Sequence, residues 1–99
     1  MQQSNFGSDM DYNNLFIYEN GNLFWLESPN SLVPKLSIAG TLRKDGYIGI
    51  FIKGTHYFAH RIIWEMHNGE IPSGMVIDHI DGNRSNNKIE NMHFPTKSF

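Results

Sequence analysis

The sequence predicts an α+β fold: a small antiparallel β-meander, then one helix, then a strand–loop–strand element whose closing helix is cut short. Three observations predict it. Up to residue 58, short β-prone runs alternate with Asn-Gly, Asp-Gly and Lys-Gly turns. From His60 the apolar residues switch to the three-to-four spacing of a helix. Between Met75 and Met92, an apolar run carries the pair Asp78-His79 into a loop rich in Gly and Asn.

Residues 1–14 are polar, with few bulky apolar side chains, and are expected to form a flexible N-terminal segment. Residues 15–99 are expected to form one domain. Leu15 to Tyr18 reads as a strand, Glu19 to Asn22 as a tight turn, and Leu23 to Leu26 as the returning strand. Glu27 to Pro34 holds two prolines, two serines and an asparagine, and reads as a loop. Ser37 to Arg43 is an expected strand, Lys44-Asp45-Gly46 a turn, Tyr47 to Ile52 a strand, and Lys53-Gly54-Thr55 another turn; His56 to Ala59 closes the meander. The helix from His60 places Ile62, Ile63, Met66 and His67 on one side and stops at Asn68-Gly69, because Gly tolerates the left-handed cap conformation. Met75-Val76-Ile77 is expected as a strand leading into Asp78, with Met92-His93-Phe94 as its partner. Pro95 to Ser98 reads as a helix start with Thr96 as N-cap. The chain stops one residue later, and a single helical turn does not offset its own nucleation cost.

Composition narrows the function. At 99 residues the chain is one domain with a thin core, and 39% apolar content with seven Phe, four Tyr and two Trp is enough to pack it. There is no Cys, which removes disulfides, thiolate zinc sites and cysteine nucleophiles, and fits a reducing cytoplasm. No apolar run reaches membrane-spanning length, and the N-terminus has neither part of a signal peptide. Net charge is −2, with eight Lys/Arg against ten Asp/Glu. A protein gripping nucleic acid by its phosphates alone is normally basic, so contact with DNA is expected to be local or metal-assisted, and weak from this chain alone.

The Asp78-His79 pair carries the chemistry. Adjacent residues on an extended segment point to opposite sides, so the two groups can serve one reaction centre from two directions. Phosphodiester hydrolysis at neutral pH needs a base for water and a cation for the charge on phosphate. Histidine suits the first task by its ordinary pKa. Asp and Asn oxygens suit Mg2+ or Mn2+ better than zinc, and nothing points to haem or a nucleotide. Asn83, Asn86, Asn87 and Asn91 can hold an irregular loop by side-chain to backbone bonds, and one of them can bond a ring nitrogen of His79. Arg84 and Lys88 flank the loop within reach of a phosphate.

The ordered run Ala59-His60-Arg61-Ile62-Ile63-Trp64, Gly69 to Gly74, Ile77 to Asn83, Asn86-Asn87 and Glu90-Asn91-Met92 resembles the HNH endonucleases of the phage and intron-encoded type. The hairpins before it, at Leu23-Phe24-Trp25 and from Ala39-Gly40 to Gly46-Tyr47, also resemble those preceding the motif in that family. The resemblance implies a ββα-metal (HNH) motif with a truncated last helix. It implies His79 as the general base, Asp78 as a metal ligand and Asn91 as the structural residue that steadies loop and base. The family's last metal ligand falls immediately past Phe99, and His93 is a candidate replacement. Arg61, beside His60 in the helix-opening pair, joins Arg84 and Lys88 as a candidate phosphate contact. Trp25, Trp64 and the meander aromatics read as core, and Asp81 before Gly82 as turn chemistry.

Two functions follow as expectations. One is a DNA endonuclease or nickase using Mg2+ or Mn2+ in the bacterial cytoplasm. The other is a non-catalytic HNH-like phage protein that binds a host protein or nucleic acid, which the acidic charge and early stop favour.

Overall fold

The computed structural model describes residues 11–94. Most of the expected N-terminal segment, residues 1–10, lies outside them, as does the expected helix start at Pro95 to Ser98. Residues 11–14 are ordered as a capped turn: Asp11 accepts from the Asn13 amide, and Tyr12–Asn14 form a 3-10 turn packed near the helix.

The strands are β1 (Phe16–Glu19), β2 (Asn22–Trp25), β3 (Ile38–Ala39), β4 (Thr41–Leu42), β5 (Ile48–Ile52) and β6 (Thr55–Phe58). They do not form one meander. They form two three-stranded antiparallel sheets, ordered β1-β2-β3 and β4-β5-β6. The segment expected as a single strand from Ser37 to Arg43 breaks at Gly40, with β3 pairing to β2 and β4 to β5. Gly40 has φ +103, and a Cβ there would lie 2.6 Å from Ile48 Cγ2. Only a residue without a side chain lets the strand turn and change sheets so close to β5.

Two of the turns follow from local chemistry. Asn20 and Gly21, at φ 51 and 91, sit between the paired residues Glu19 and Asn22. Lys53 and Gly54, at φ 51 and 83, do the same between Ile52 and Thr55. Positive φ at both central residues matches the twist of the flanking strands.

Strand alternation sends Phe16, Leu23, Trp25, Ile50 and Ile52 inward. They meet Ala59, Ile62 and Ile63 of α1 (Ala59–Asn68), the one α-helix among the described residues, in a core closed by Ile71, Ile77 and Met92. Ile63 is wholly buried. The helix ends as expected, with the Gly69 amide donating to the Glu65 carbonyl at φ 87. Its inner face is the expected one at Ile62 and Ile63, but burial fades toward the C-terminal end. His60 is buried, whereas Met66 is half-buried and His67 exposed, because the sheets pack mainly on the first two turns.

The last element is β7 (Asp78–His79) paired antiparallel with β8 (Met92–His93). Met75, Val76 and Ile77 were expected to be the strand, but the ladder begins at Asp78 and Met75 and Val76 are exposed. Ladder pairing therefore falls on the chemical residues themselves.

Candidate active site

Burial alternates along Ile77, Asp78, His79 and Ile80: in, out, in, out. This extended backbone points the Asp78 carboxylate to solvent and the His79 ring inward, where it is 6% exposed. The register sets Asp78 opposite His93 and His79 opposite Met92. The first pair brings His93 Nε2 to 3.3 Å from Asp78 Oδ2, on the exposed side.

The loop between β7 and β8 is held by its own carboxylate and amides. Asp81 accepts from the Asn83 amide at 2.7 Å, from Asn86 Nδ2 at 2.8 Å and from Asn91 Nδ2 at 3.0 Å. Asn91 Oδ1 accepts the Asp81 amide in return, and Asn91 Nδ2 also reaches the Asn86 carbonyl at 2.9 Å. The Asn86 amide first, then the Asn83 and Asn91 bonds, hold the Asp81 carboxyl below the usual carboxylate range. Asn91 thus bonds loop atoms. The ring bond belongs to Asn87, whose Oδ1 lies 2.9 Å from His79 Nε2. Asn87 is 2% exposed.

Two rings from other elements wall in His79. His60 of α1 meets it edge-on at 5.2 Å between centroids, and Tyr47, just before β5, lies at 6.1 Å. Tyr47 also stacks on His60 at 5.1 Å. Arg84 from the loop covers Tyr47, its Cζ 5.1 Å from the ring centre, while its Nη1 donates to the Asp45 carbonyl at 2.9 Å. Burial, then the charge on His79 when it is protonated and that on Arg61, lowers the His60 pKa to about 4. His60 is therefore neutral at physiological pH, and its Nδ1 has no hydrogen-bond partner among the described residues.

The candidate residues thus divide. Asp78, His79, His93, Arg84 and Asn91 are gathered on or beside the β7–β8 unit. Lys88 lies against the β1–β2 turn at Gly21. Arg61 borders a separate hollow lined by Tyr12, Tyr57 and Glu65. Tyr47 carried no sign of this role in the sequence: its aromatic ring after an Asp-Gly turn is indistinguishable from core until the fold brings it to His79.

Residues 57–98 match the family model described as HNH endonuclease. Over these residues the chain is similar to the HNH endonucleases. The fold agrees: 83% of the chain superposes on 47% of the HNH homing endonuclease I-HmuI, solved in a study of DNA binding and cleavage, with TM-score 0.58 and 27% identity. Among curated relatives, the gene 5.3 protein of Enterobacteria phage T3 is 44% identical over 55 residues, half of this chain and 54% of its own length. The SPbeta prophage-derived YosQ of Bacillus subtilis (strain 168), named a candidate HNH homing endonuclease, is 42% identical over 45 residues. These are 44% of this chain and 26% of that protein, so the chain spans about half the length of these relatives or less.

HNH nucleases generally use a divalent metal, and the donor set here can be tested against one. Asp78 and His93 offer a carboxylate oxygen and an imidazole nitrogen side by side and open to water. Among the described residues no third His, Cys, Asp or Glu joins them. Two protein donors with the remaining positions left to water fit a hard, strongly hydrated cation and do not fit a closed structural zinc site.

Proposed function

We propose that this HNH domain hydrolyses DNA phosphodiester bonds with Mg2+ or Mn2+, as an endonuclease or nickase. The observation that carries the reading is the β7–β8 register, which sets a carboxylate–imidazole pair outside and a buried imidazole, on the adjacent residue, inside. In this reading His79 takes the proton of the attacking water. Asp78, with His93, holds the cation, whose bound charge would stabilise the phosphate and the leaving oxygen. Asn91 keeps the loop's shape through its bonds to Asp81 and Asn86. Arg84 is the basic side chain best placed for a phosphate beside His79; Arg61 and Lys88 lie further along the surface and are candidate backbone contacts. The phage relatives support a site of action in the cytoplasm of a bacterial host.

A second reading is a non-catalytic HNH-like protein that binds a host protein or nucleic acid. It is favoured by the net charge of −2 and by the presence of only two clustered ligating groups among the described residues. One experiment separates them. Supercoiled plasmid is incubated with the protein and Mg2+ or Mn2+, beside a His79→Ala control. Nicking that disappears in the control supports hydrolysis at this site. No nicking at high protein, together with no metal-induced rise in melting temperature, supports the binding protein.

A further inference from the structure

We infer that Asn87, rather than Asn91, is the positioning residue of His79, and that it fixes the ring as the Nε2–H tautomer with Nδ1 as the basic nitrogen. The bond that carries this is His79 Nε2 to Asn87 Oδ1, 2.9 Å, between side chains that are 6% and 2% exposed. An amide oxygen only accepts, so the proton it receives must sit on Nε2, and the lone pair is then on Nδ1. Burial strengthens the preference, since the bond is made away from competing water.

Asn87 is also held in place from outside the loop. The β1–β2 turn presses on this segment: a Cβ on Gly21 would lie 3.3 Å from the Asn87 carbonyl carbon and 3.0 Å from the Lys88 nitrogen. Two residues on, the Ile89 amide donates to the Tyr18 hydroxyl of β1 at 3.0 Å. The groups nearest the ring otherwise are the faces and edges of Tyr47 and His60, which orient it by packing. The first hairpin of the chain therefore delivers an acceptor to the histidine of the last.

The consequence for catalysis rests on His79 being the base; the tautomer does not. Two-bond 1H–15N correlation spectra of 15N-histidine protein distinguish the tautomers, with His79 assigned by its loss in His79→Ala. Wild type is expected to show Nε2–H in its neutral form. Asn87→Leu keeps the volume, removes the acceptor and should move the ring toward a mixture. Asn87→Asp keeps an acceptor and should hold Nε2–H. In plasmid nicking, Asn87→Leu should lower kcat roughly 10- to 100-fold with KM unchanged, and Asn87→Asp should stay within about threefold of wild type. An Nδ1–H ring in wild type, or an unshifted Nε2–H ring in Asn87→Leu, overturns the inference. So does an equal loss of kcat in both variants. If Asn87→Leu does not fold, the wild-type spectrum decides alone. If wild type does not nick, the hydrolytic reading falls while the spectra still decide the role of Asn87.

Discussion

Replacing Gly40 with Ala tests how the two sheets are joined. The residue has φ +103, and a Cβ would stand 2.6 Å from Ile48 Cγ2 and 3.1 Å from Ile50 Cγ1. The backbone term costs about 1–3 kcal/mol for a non-glycine residue in such a conformation. The steric term costs about 1–3 kcal/mol more, because the blocking methyl belongs to Ile48, a β-branched side chain with little rotamer freedom that is packed against the core. Restricting the unfolded chain returns about 0.4–1 kcal/mol. The net loss is about 1–5.5 kcal/mol, a large part of the roughly 5–15 kcal/mol that holds a domain of this size. In thermal unfolding followed by circular dichroism each kcal/mol of it corresponds to a fall in Tm of about 4–8 °C. Gly54→Ala is the internal control. It also has positive φ, +83, but no atom within 4 Å of the added carbon, so it should lose only the backbone term. Equal destabilisation by the two substitutions would show that close approach to β5 is not what requires Gly40.

Three further outcomes follow from the structure. Ile63→Ala removes a wholly buried side chain between helix and sheets and should cost about 2–5 kcal/mol in urea unfolding, with an unchanged m-value. His60 titrates near 4 when folded, below its ordinary value of about 6.5, so its contribution to stability is fully present above about pH 6.5. It should decline as pH falls and be gone below about 4, and His60→Phe should remove that part of the pH dependence; a His60 ring that titrates near 6.5 by NMR refutes this. Mn2+ at tenfold its Kd should stabilise wild type by about 1.4 kcal/mol in thermal unfolding. Asp78→Ala should abolish that gain and His93→Ala reduce it, and a gain unchanged in both would move the cation elsewhere.

Sequence reading was strongest where structure depends on neighbouring residues. Asn20, Gly21 and Gly54 tolerate positive φ by their own backbone preferences, and Lys53 adopts it beside Gly54, so both hairpins were visible in the chain. Gly69 ends the helix for the same local reason. The ordered motif from Ala59 to Met92 carried the resemblance to the HNH endonucleases, since its residue types and spacings recur together. How far burial extends along α1 was not visible, because coverage of Met66 and His67 depends on where the sheets end and not on helical spacing.

The sequence by itself determined the turns, the existence of the helix, the α+β class and the Asp78-His79 unit. Those rest on short-range backbone geometry and on one local motif. Tertiary structure alone decided the split into two sheets, because the need for glycine at residue 40 comes from Ile48 approaching across a strand pair. It decided which residue faces Asp78, since the β7–β8 register, not chain distance, sets His93 there. And it chose among four asparagines of the same chemistry. Asn91 is turned into the loop by Asp81, and Asn87 is carried to His79 by the packing of the first hairpin against it.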